Sequence, residues 1–289
     1  MKEVSSLLAW QNADGGWGYN RGGSSTEPTT FALLALSVAG CGPTVPVERA
    51  LHWLRASQRD DGGWPPCRAV DQSTWVTALP MILPKMMRAR LRVDRAKEWV
   101  LSQQGRESTR RERFRSYLLG APNPLDTSQE GWPFYPDTAA WVAPTAFAIL
   151  GLERFRSDVR AQSRCRLGRA FLLSRMCGDG GWNHGSSRAL GYDLNSYPET
   201  TGLALLALHG VQNIAMERSL TRAKQQSGQC QPEEARCWLH LGLLAHRQPV
   251  FSKTETFRPP RSVMELALAT LTQAAANGNN IFVDLDENT

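Results

Sequence analysis

Gln58-Arg59-Asp60-Asp61-Gly62-Gly63-Trp64 decides the fold, because the phrase recurs. It stands earlier as Gln11-Asn12-Ala13-Asp14-Gly15-Gly16-Trp17, and later as Met176-Cys177-Gly178-Asp179-Gly180-Gly181-Trp182, with Met in place of Gln. The first two tryptophans are 47 residues apart. A partial copy, Gly131-Trp132, follows Trp64 by 68 residues, yet Glu98-Trp99-Val100-Leu101-Ser102-Gln103-Gln104 matches the helix end that precedes an intact turn. Gln and Trp are 6 apart in intact copies and 28 apart between Gln104 and Trp132, so 22 residues are inserted and the underlying spacing is 46. The next steps, 50 to Trp182 and 48 to the decayed turn Gly228-Gln229-Cys230, keep the period. Self-similarity at such a period marks stacked supersecondary units.

Between turns, polar-faced helices (residues 47–57, 95–103 and 165–175) alternate with apolar ones. Thr29-Thr30-Phe31-Ala32-Leu33-Leu34-Ala35-Leu36, residues 145–152 and residues 200–208 share one phrase, and Thr74-Trp75-Val76-Thr77-Ala78 matches the stretch at Ala140-Trp141-Val142-Ala143-Pro144. A helix apolar nearly all round must be buried, whereas a one-sided helix can face water, so the chain forms an inner and an outer layer. Asp followed by two glycines allows a tight reversal with φ > 0 after each outer helix. The Trp is expected to cap that helix, stack on the Gln amide and link adjacent repeats.

The stretch Arg49-Ala50-Leu51-His52-Trp53-Leu54 followed by Gln58, Gly62 and Trp64 resembles the Gln-Trp motif of squalene-hopene and oxidosqualene cyclases, shared more loosely with protein prenyltransferase β-subunits. The resemblance spans residues 1–276 and implies an all-α fold, an α/α toroid of about five and a half to six helix pairs. Outer helices fall near residues 3, 47, 95, 163, 215 and 262, and inner ones near 28, 73, 139, 198 and 233. One inner helix is missing from a ring of six, so either the ring is open or the insertion, residues 105–126, supplies a stave. Residues 277–289 read as a disordered tail.

Composition narrows the function classes. The chain has 289 residues, 42% hydrophobic, a size and makeup for a globular core. Its apolar runs are far shorter than the roughly 18 residues of a membrane span. Met1-Lys2-Glu3 opens no secretory leader, which sets a cytoplasmic expectation. Six separated cysteines with no C-x-x-C pair read as packed, reduced thiols. The net charge of +6 comes from residues 85–115, where eleven Lys or Arg face four acids. So local an excess, without a helix-turn-helix or zinc-finger spacing, argues against nucleic acid.

Inner helices start on one side of the barrel, with an acid near each start: Glu27, Asp71, Asp137, Glu199 and Glu233 or Glu234. A first-turn carboxylate suits the helix dipole and needs no further role. The resemblance gives one of them another meaning. The family protonates an alkene or epoxide with the middle Asp of D-x-D-D, and alignment on Thr201 places Glu199 at that acid, with Tyr197 and Thr200 in place of its flanking aspartates. The implied catalytic set is Glu199 as proton donor with His184 and Tyr197 assisting, although Asn183 and His184 would serve equally to satisfy loop backbone. Phe31, Trp75, Trp141, Phe147 and Trp238 either line a cavity for an isoprenoid or other lipid and steady a carbocation, or pack as core. The alternatives are a non-catalytic lipid- or prenyl-binding scaffold, and zinc-dependent prenyl transfer. Glu233, Cys237 and His240 share one helix face, but the pattern differs from the family's zinc ligands, so no metal or other cofactor is expected.

Within the insertion, Thr109-Arg110-Arg111-Glu112 reads as a capping box opening a basic amphipathic helix, with Arg110, Arg111, Arg113 and Arg115 beside Phe114, Tyr117 and Leu118. Such a helix can lie on the inner face of a membrane, hold a diphosphate, or cover the barrel with a solvated face.

Overall fold

Each intact turn is built the same way in the computed structural model, which describes residues 2–20, 22–119, 129–189, 192–250 and 260–284. Gly15, Gly62 and Gly180 take φ of 95°, 93° and 93°, and the Asp before each glycine pair accepts the second glycine's N–H (Asp61 Oδ1 to Gly63 N, 2.9 Å). The indole N–H of Trp17, Trp64, Trp132 and Trp182 donates to a carbonyl at the end of the preceding outer helix, that of Leu7, Leu54, Val100 and Leu172. The same tryptophans donate their backbone N–H to the hydroxyls of Thr29, Thr77, Thr145 and Thr201. Each buried Trp therefore ties an outer helix to the next inner stave. The link to the neighbouring repeat differs from the expected indole–amide stack. Gln11 and Gln58 make it, donating both to the glycine carbonyl of their own turn and to Pro46 O or Arg92 O beside the next outer helix.

The outer layer comprises α1 (Lys2–Ala9), α3 (Val45–Ser57), α5 (Val93–Ser102), α8 (Val159–Ser174) and α10 (Ile214–Gln229). Helix α3 shows why: Val47, Ala50, Leu51, Trp53 and Leu54 are buried while His52 and Arg55 face water. The inner layer comprises α2 (Thr26–Val38), α7 (Val142–Leu152), α9 (Pro198–Ala207), α11 (Glu233–Ala245) and α12 (Val263–Ala276). In α2 every residue from Phe31 to Leu36 is fully buried.

Two expectations are corrected here. The inner helix near residue 73 is two 3₁₀ turns, Trp75–Ala78 and Pro80–Ile82, followed by the short α4 (Lys85–Arg88). Pro80 and Pro84 lack the N–H an α-helix needs and clash with the preceding turn. Helix α12, expected as outer, packs between α11 and α2 and closes the ring. Its Val263, Met264, Leu266, Ala267, Leu268 and Leu271 are buried on too many sides for an outer position. Ser262 fixes its start, accepting from Glu265 N at 3.0 Å and donating to Glu234 on α11 at 2.8 Å. The insertion therefore supplies no stave. Its helix α6 (Arg110–Leu119) packs on the 3₁₀ turn Arg106–Ser108, outside the ring. Two small antiparallel ladders, β1 (Trp132–Pro133) with β2 (Ala140–Trp141) and β3 (Arg188–Ala189) with β4 (Tyr192–Asp193), shape loops at the inner-helix starts.

The tail is also corrected. Residues 279–284 pack against the barrel, and Phe282 has no exposed surface. Phe282, with Ile281 and Val283 packed beside it and Asn280 bonded to Leu241 O, holds a segment whose polarity suggested disorder. Residues 285–289 lie outside the described residues, as do 120–128 of the insertion and its following loop.

Candidate functional site

Three of the sequence's acids meet at one mouth. Glu27, Glu199 and Glu234 each occupy the second residue of an inner helix, α2, α9 and α11. Pro198 pre-sets the first turn of α9, and each helix's unpaired N–H groups favour a carboxylate there. Burial pushes Glu27 up from 4.5 to about 7, with the neighbouring charges of Glu199 and Glu234 adding to the rise; a hydrogen bond from the Tyr19 hydroxyl to Oε2 works against it. Glu199 stands exposed at the rim, yet the crowded mouth strips enough water from its carboxyl to raise it. The charge of Glu234 adds and that of His184 opposes.

The other two acids do not join. At the broken second stave, Asp71 pairs with Arg59 on the surface, 95% exposed. Asp137 occupies a turn with φ of 62°. Glu233 is held by Arg236.

His184 and Tyr197 reach the mouth beside Glu199. Their rings lie 5.1 Å apart between centroids, tilted by 31°. Tyr197 precedes the first residue of α9, and its N–H donates to Trp182 O at 2.8 Å. His184 O accepts from Val142 N, the first residue of α7, at 2.8 Å. Asn183 does the loop work expected of it, donating to Ser186 O at 2.7 Å and accepting from Gly185 N at 3.0 Å. Tyr19 was missed. It follows the first turn by two residues, a position where the other intact turns carry no phenol.

Below the mouth the aromatics stack on one another. Phe31 lies one helical turn below Glu27, and Trp238 one turn below Glu234. Phe31 and Trp238 meet edge-on at 5.6 Å, Phe147 contacts them at 6.2 and 5.7 Å, and Trp75 packs on Phe147 at 5.5 Å. Trp141 sits apart at the rim, 37% exposed, against Phe134. Off the axis, the crevice between Trp75, Trp132 and the outer-helix residues Trp99 and Val100 is about 10 Å³. That holds at most one water, against several hundred Å³ for a typical ligand pocket.

Of the zinc-type residues, Cys237 Sγ donates to Glu233 Oε1 at 3.9 Å while His240 turns to Ser227. Burial pushes the Cys237 thiol up to about 12, and His240 Nε2 lies 2.9 Å from Ser227 Oγ. Among the described residues no group of three or more His, Cys, Asp or Glu is placed to hold a metal. In α6, Arg113 pairs with Glu130 and Arg115 with Glu112, while Arg110 and Arg111 are exposed. Thr109 Oγ1 accepts from Glu112 N at 3.3 Å, as the capping box requires. Among the described residues no helix is long and apolar enough to cross a membrane.

No protein-family model matches the chain. Over 59 residues, 20% of its length, it is 46% identical to a drimenyl diphosphate synthase from Streptantibioticus cattleyicolor. That match takes in 11% of the relative, so the chain aligns with a small part of it. Among solved structures, the type II terpene cyclase MstE from Scytonema, in complex with geranylgeranyl dihydroxybenzoate, superposes over 97% of this chain and 77% of its own with a TM-score of 0.51 at 16% identity. A glycoside hydrolase family 8 endo-β-1,4-glucanase from an Achatina fulica gut metagenomic library superposes over 94% and 96% with a TM-score of 0.59 at 13% identity. Toroids of this shape serve unrelated chemistries, so the site has to argue its own function. The chain folds as an α/α toroid.

Proposed function

We propose that the chain handles an isoprenoid in the manner of class II terpenoid cyclases, with the mouth carboxyls as the proton source. The observation that carries this reading is the convergence of Glu27, Glu199 and Glu234 over an aromatic cluster, with Glu27 titrating near neutrality. Glu27 and Glu199 both hold a proton more tightly than a free carboxyl, and the charge of Glu234 adds to each rise. Glu199 holds the register of the family's acid, with His184 and Tyr197 beside it.

Transfer of the proton breaks the carboxyl O–H bond and forms a C–H bond from the alkene's π electrons. A tertiary carbocation and a carboxylate remain. Aromatic faces such as those of Phe31, Phe147 and Trp238 attract a cation, and loss of a proton from the cyclised cation restores the carboxyl. No cofactor takes part. The test is incubation with farnesyl, geranylgeranyl and squalene-like substrates, read by gas chromatography and mass spectrometry. Product from the chain, lost in Glu27→Gln and Glu199→Gln, is the expected result; undiminished product from the double variant refutes it.

The mutual packing of Phe31, Phe147 and Trp238 below the mouth favours a second reading, a toroid that binds a prenyl or other lipid chain without turning it over. It predicts copurified lipid in native mass spectrometry and no product from any substrate. With either reading we propose that α6 touches an anionic membrane surface peripherally; the exposure of Arg110, Arg111 and Arg115 and of Phe114, Tyr117 and Leu118 supports it.

A further inference from the structure

Helix α12 starts at the carboxylate mouth, where Val263 N donates to Tyr19 O at 3.1 Å, and runs to the opposite end of the barrel. There Asn279 N reaches back to Ala274 O at 2.9 Å, and Gly278, with φ of 90°, turns the chain. Residues 279–284 then fold inward over the ends of the inner helices. Asn280 donates its amide to Leu241 O at 3.5 Å, and Arg154, just past α7, donates to the carbonyls of Ile281 and Asp284. Phe282 enters the axis and contacts Phe31 at 6.4 Å and Trp238 at 5.9 Å, the residues one turn below Glu27 and Glu234.

We propose that residues 279–284 are a removable plug, and that withdrawal of Phe282 opens an apolar site on the toroid axis for the branched hydrocarbon of an isoprenoid. The ligand class rests on the function proposed above; the plug itself rests on the placement of Phe282. Three features set this segment apart from ordinary core. The ring is carried by a short irregular segment rather than a stave. Apart from its apolar side chains, the segment is held by hydrogen bonds of Asn280 and Arg154 rather than by the i→i−4 ladder of a helix. The space it fills lies beneath the mouth carboxyls, against Phe31 and Trp238. A prenyl unit offers apolar area comparable to a phenyl ring, so exchanging one for the other keeps the walls dry.

The experiment uses the full chain and geraniol as probe, with binding measured by calorimetry and the segment by hydrogen exchange. The amides of Val283 and Asp284, both bonded to Asn280 O, report the plug. Geraniol should speed their exchange. Arg154→Ala, which loosens the segment without touching the axial walls, should tighten apparent binding by about tenfold, because affinity scales with the open fraction. Phe282→Ala should bind at least as tightly, with circular dichroism confirming a folded barrel. The proposal fails if geraniol binds while exchange at 283 and 284 stays unchanged, or if Arg154→Ala frees the segment with no gain in affinity. It also fails if folded Phe282→Ala binds no geraniol. Cyclisation is absent from all these readouts, so a catalytically silent chain that binds geraniol refutes the cyclase reading and leaves the plug intact.

Discussion

Tyr19 donates its hydroxyl to Glu27 Oε2 across the mouth, and this bond opposes the burial and the like charges of Glu199 and Glu234 that lift Glu27 from 4.5 to about 7. The unfolded chain loses this proton near the ordinary value and the folded chain near 7. Between those values the folded state binds more protons, so stability falls as pH rises and levels off above about 7. The contribution is at most about 3 kcal/mol, reduced by solvent reaching the half-buried carboxyl. Urea unfolding at pH 5 and pH 8 should show this loss in the wild type and a flatter response in Glu27→Gln. Tyr19→Phe should move the Glu27 midpoint upward and Glu199→Gln downward, read by carbon-13 NMR of the carboxyl. An unmoved midpoint in both variants would mean that the mouth groups do not interact.

Thr77 joins the second turn to its stave by accepting the backbone N–H of Trp64 at 2.9 Å. The group it satisfies is fully buried. Thr77→Val keeps the shape and leaves that N–H without a partner, at a cost of about 1–3 kcal/mol. Denaturant midpoints would check it, and Thr29→Val and Thr145→Val should lose similar amounts because Trp17 and Trp132 use the same bond.

Gly62 is constrained twice, by φ of 93° and by Arg95 O, which lies 2.7 Å from where a Cβ would stand. Gly40 also has positive φ, 75°, but faces open space. Gly40→Ala should therefore cost about 1 kcal/mol from backbone strain alone. Gly62→Ala should add a displacement of the next outer helix, about 1–3 kcal/mol more. Equal thermal shifts for the two variants would show that the close approach of Arg95 is unimportant.

The repeat was legible because the turn chemistry is local: Asp, two glycines and Trp specify the reversal wherever they occur. Phasing it located the insertion and placed Glu199 at the mouth. What failed was long-range. Nothing local in Val263–Ala276 says whether it packs outside or between α11 and α2, since closure depends on the ring's curvature. Pro80 and Pro84 carry the signal of the broken second stave, which the match of Trp75 to Trp141 does not contain. Glu27 looked like any first-turn carboxylate, and its raised proton affinity comes first from burial in the assembled mouth and then from two glutamates more than 170 residues away in sequence. Phe282 was hidden among Asn and Asp residues whose composition reads as unfolded.

Helix α6 places Phe114, Tyr117 and Leu118 at 63%, 83% and 65% exposure, three large apolar groups spaced i, i+3 and i+4. Arg110 and Arg111 stand one turn before Phe114 on the same side of the helix, so positive and apolar groups are interleaved there rather than segregated into the amphipathic faces expected of it. Both kinds of group suit an anionic bilayer surface, each arginine adding roughly 1 kcal/mol near phosphatidylserine. The chain should float with vesicles of 30% phosphatidylserine, about that composition being enough to give a strongly negative surface, and should not float with pure phosphatidylcholine. Raising salt to about 1 M shortens the screening length to about 3 Å and should release it. Replacing Phe114 and Leu118 by serine should weaken binding at all salt concentrations, whereas Arg111→Glu should weaken it mainly at low salt. Flotation that is independent of lipid charge would mean that the apolar face alone makes the contact, and no flotation at all would leave α6 as a solvated cover over the 3₁₀ turn beneath it.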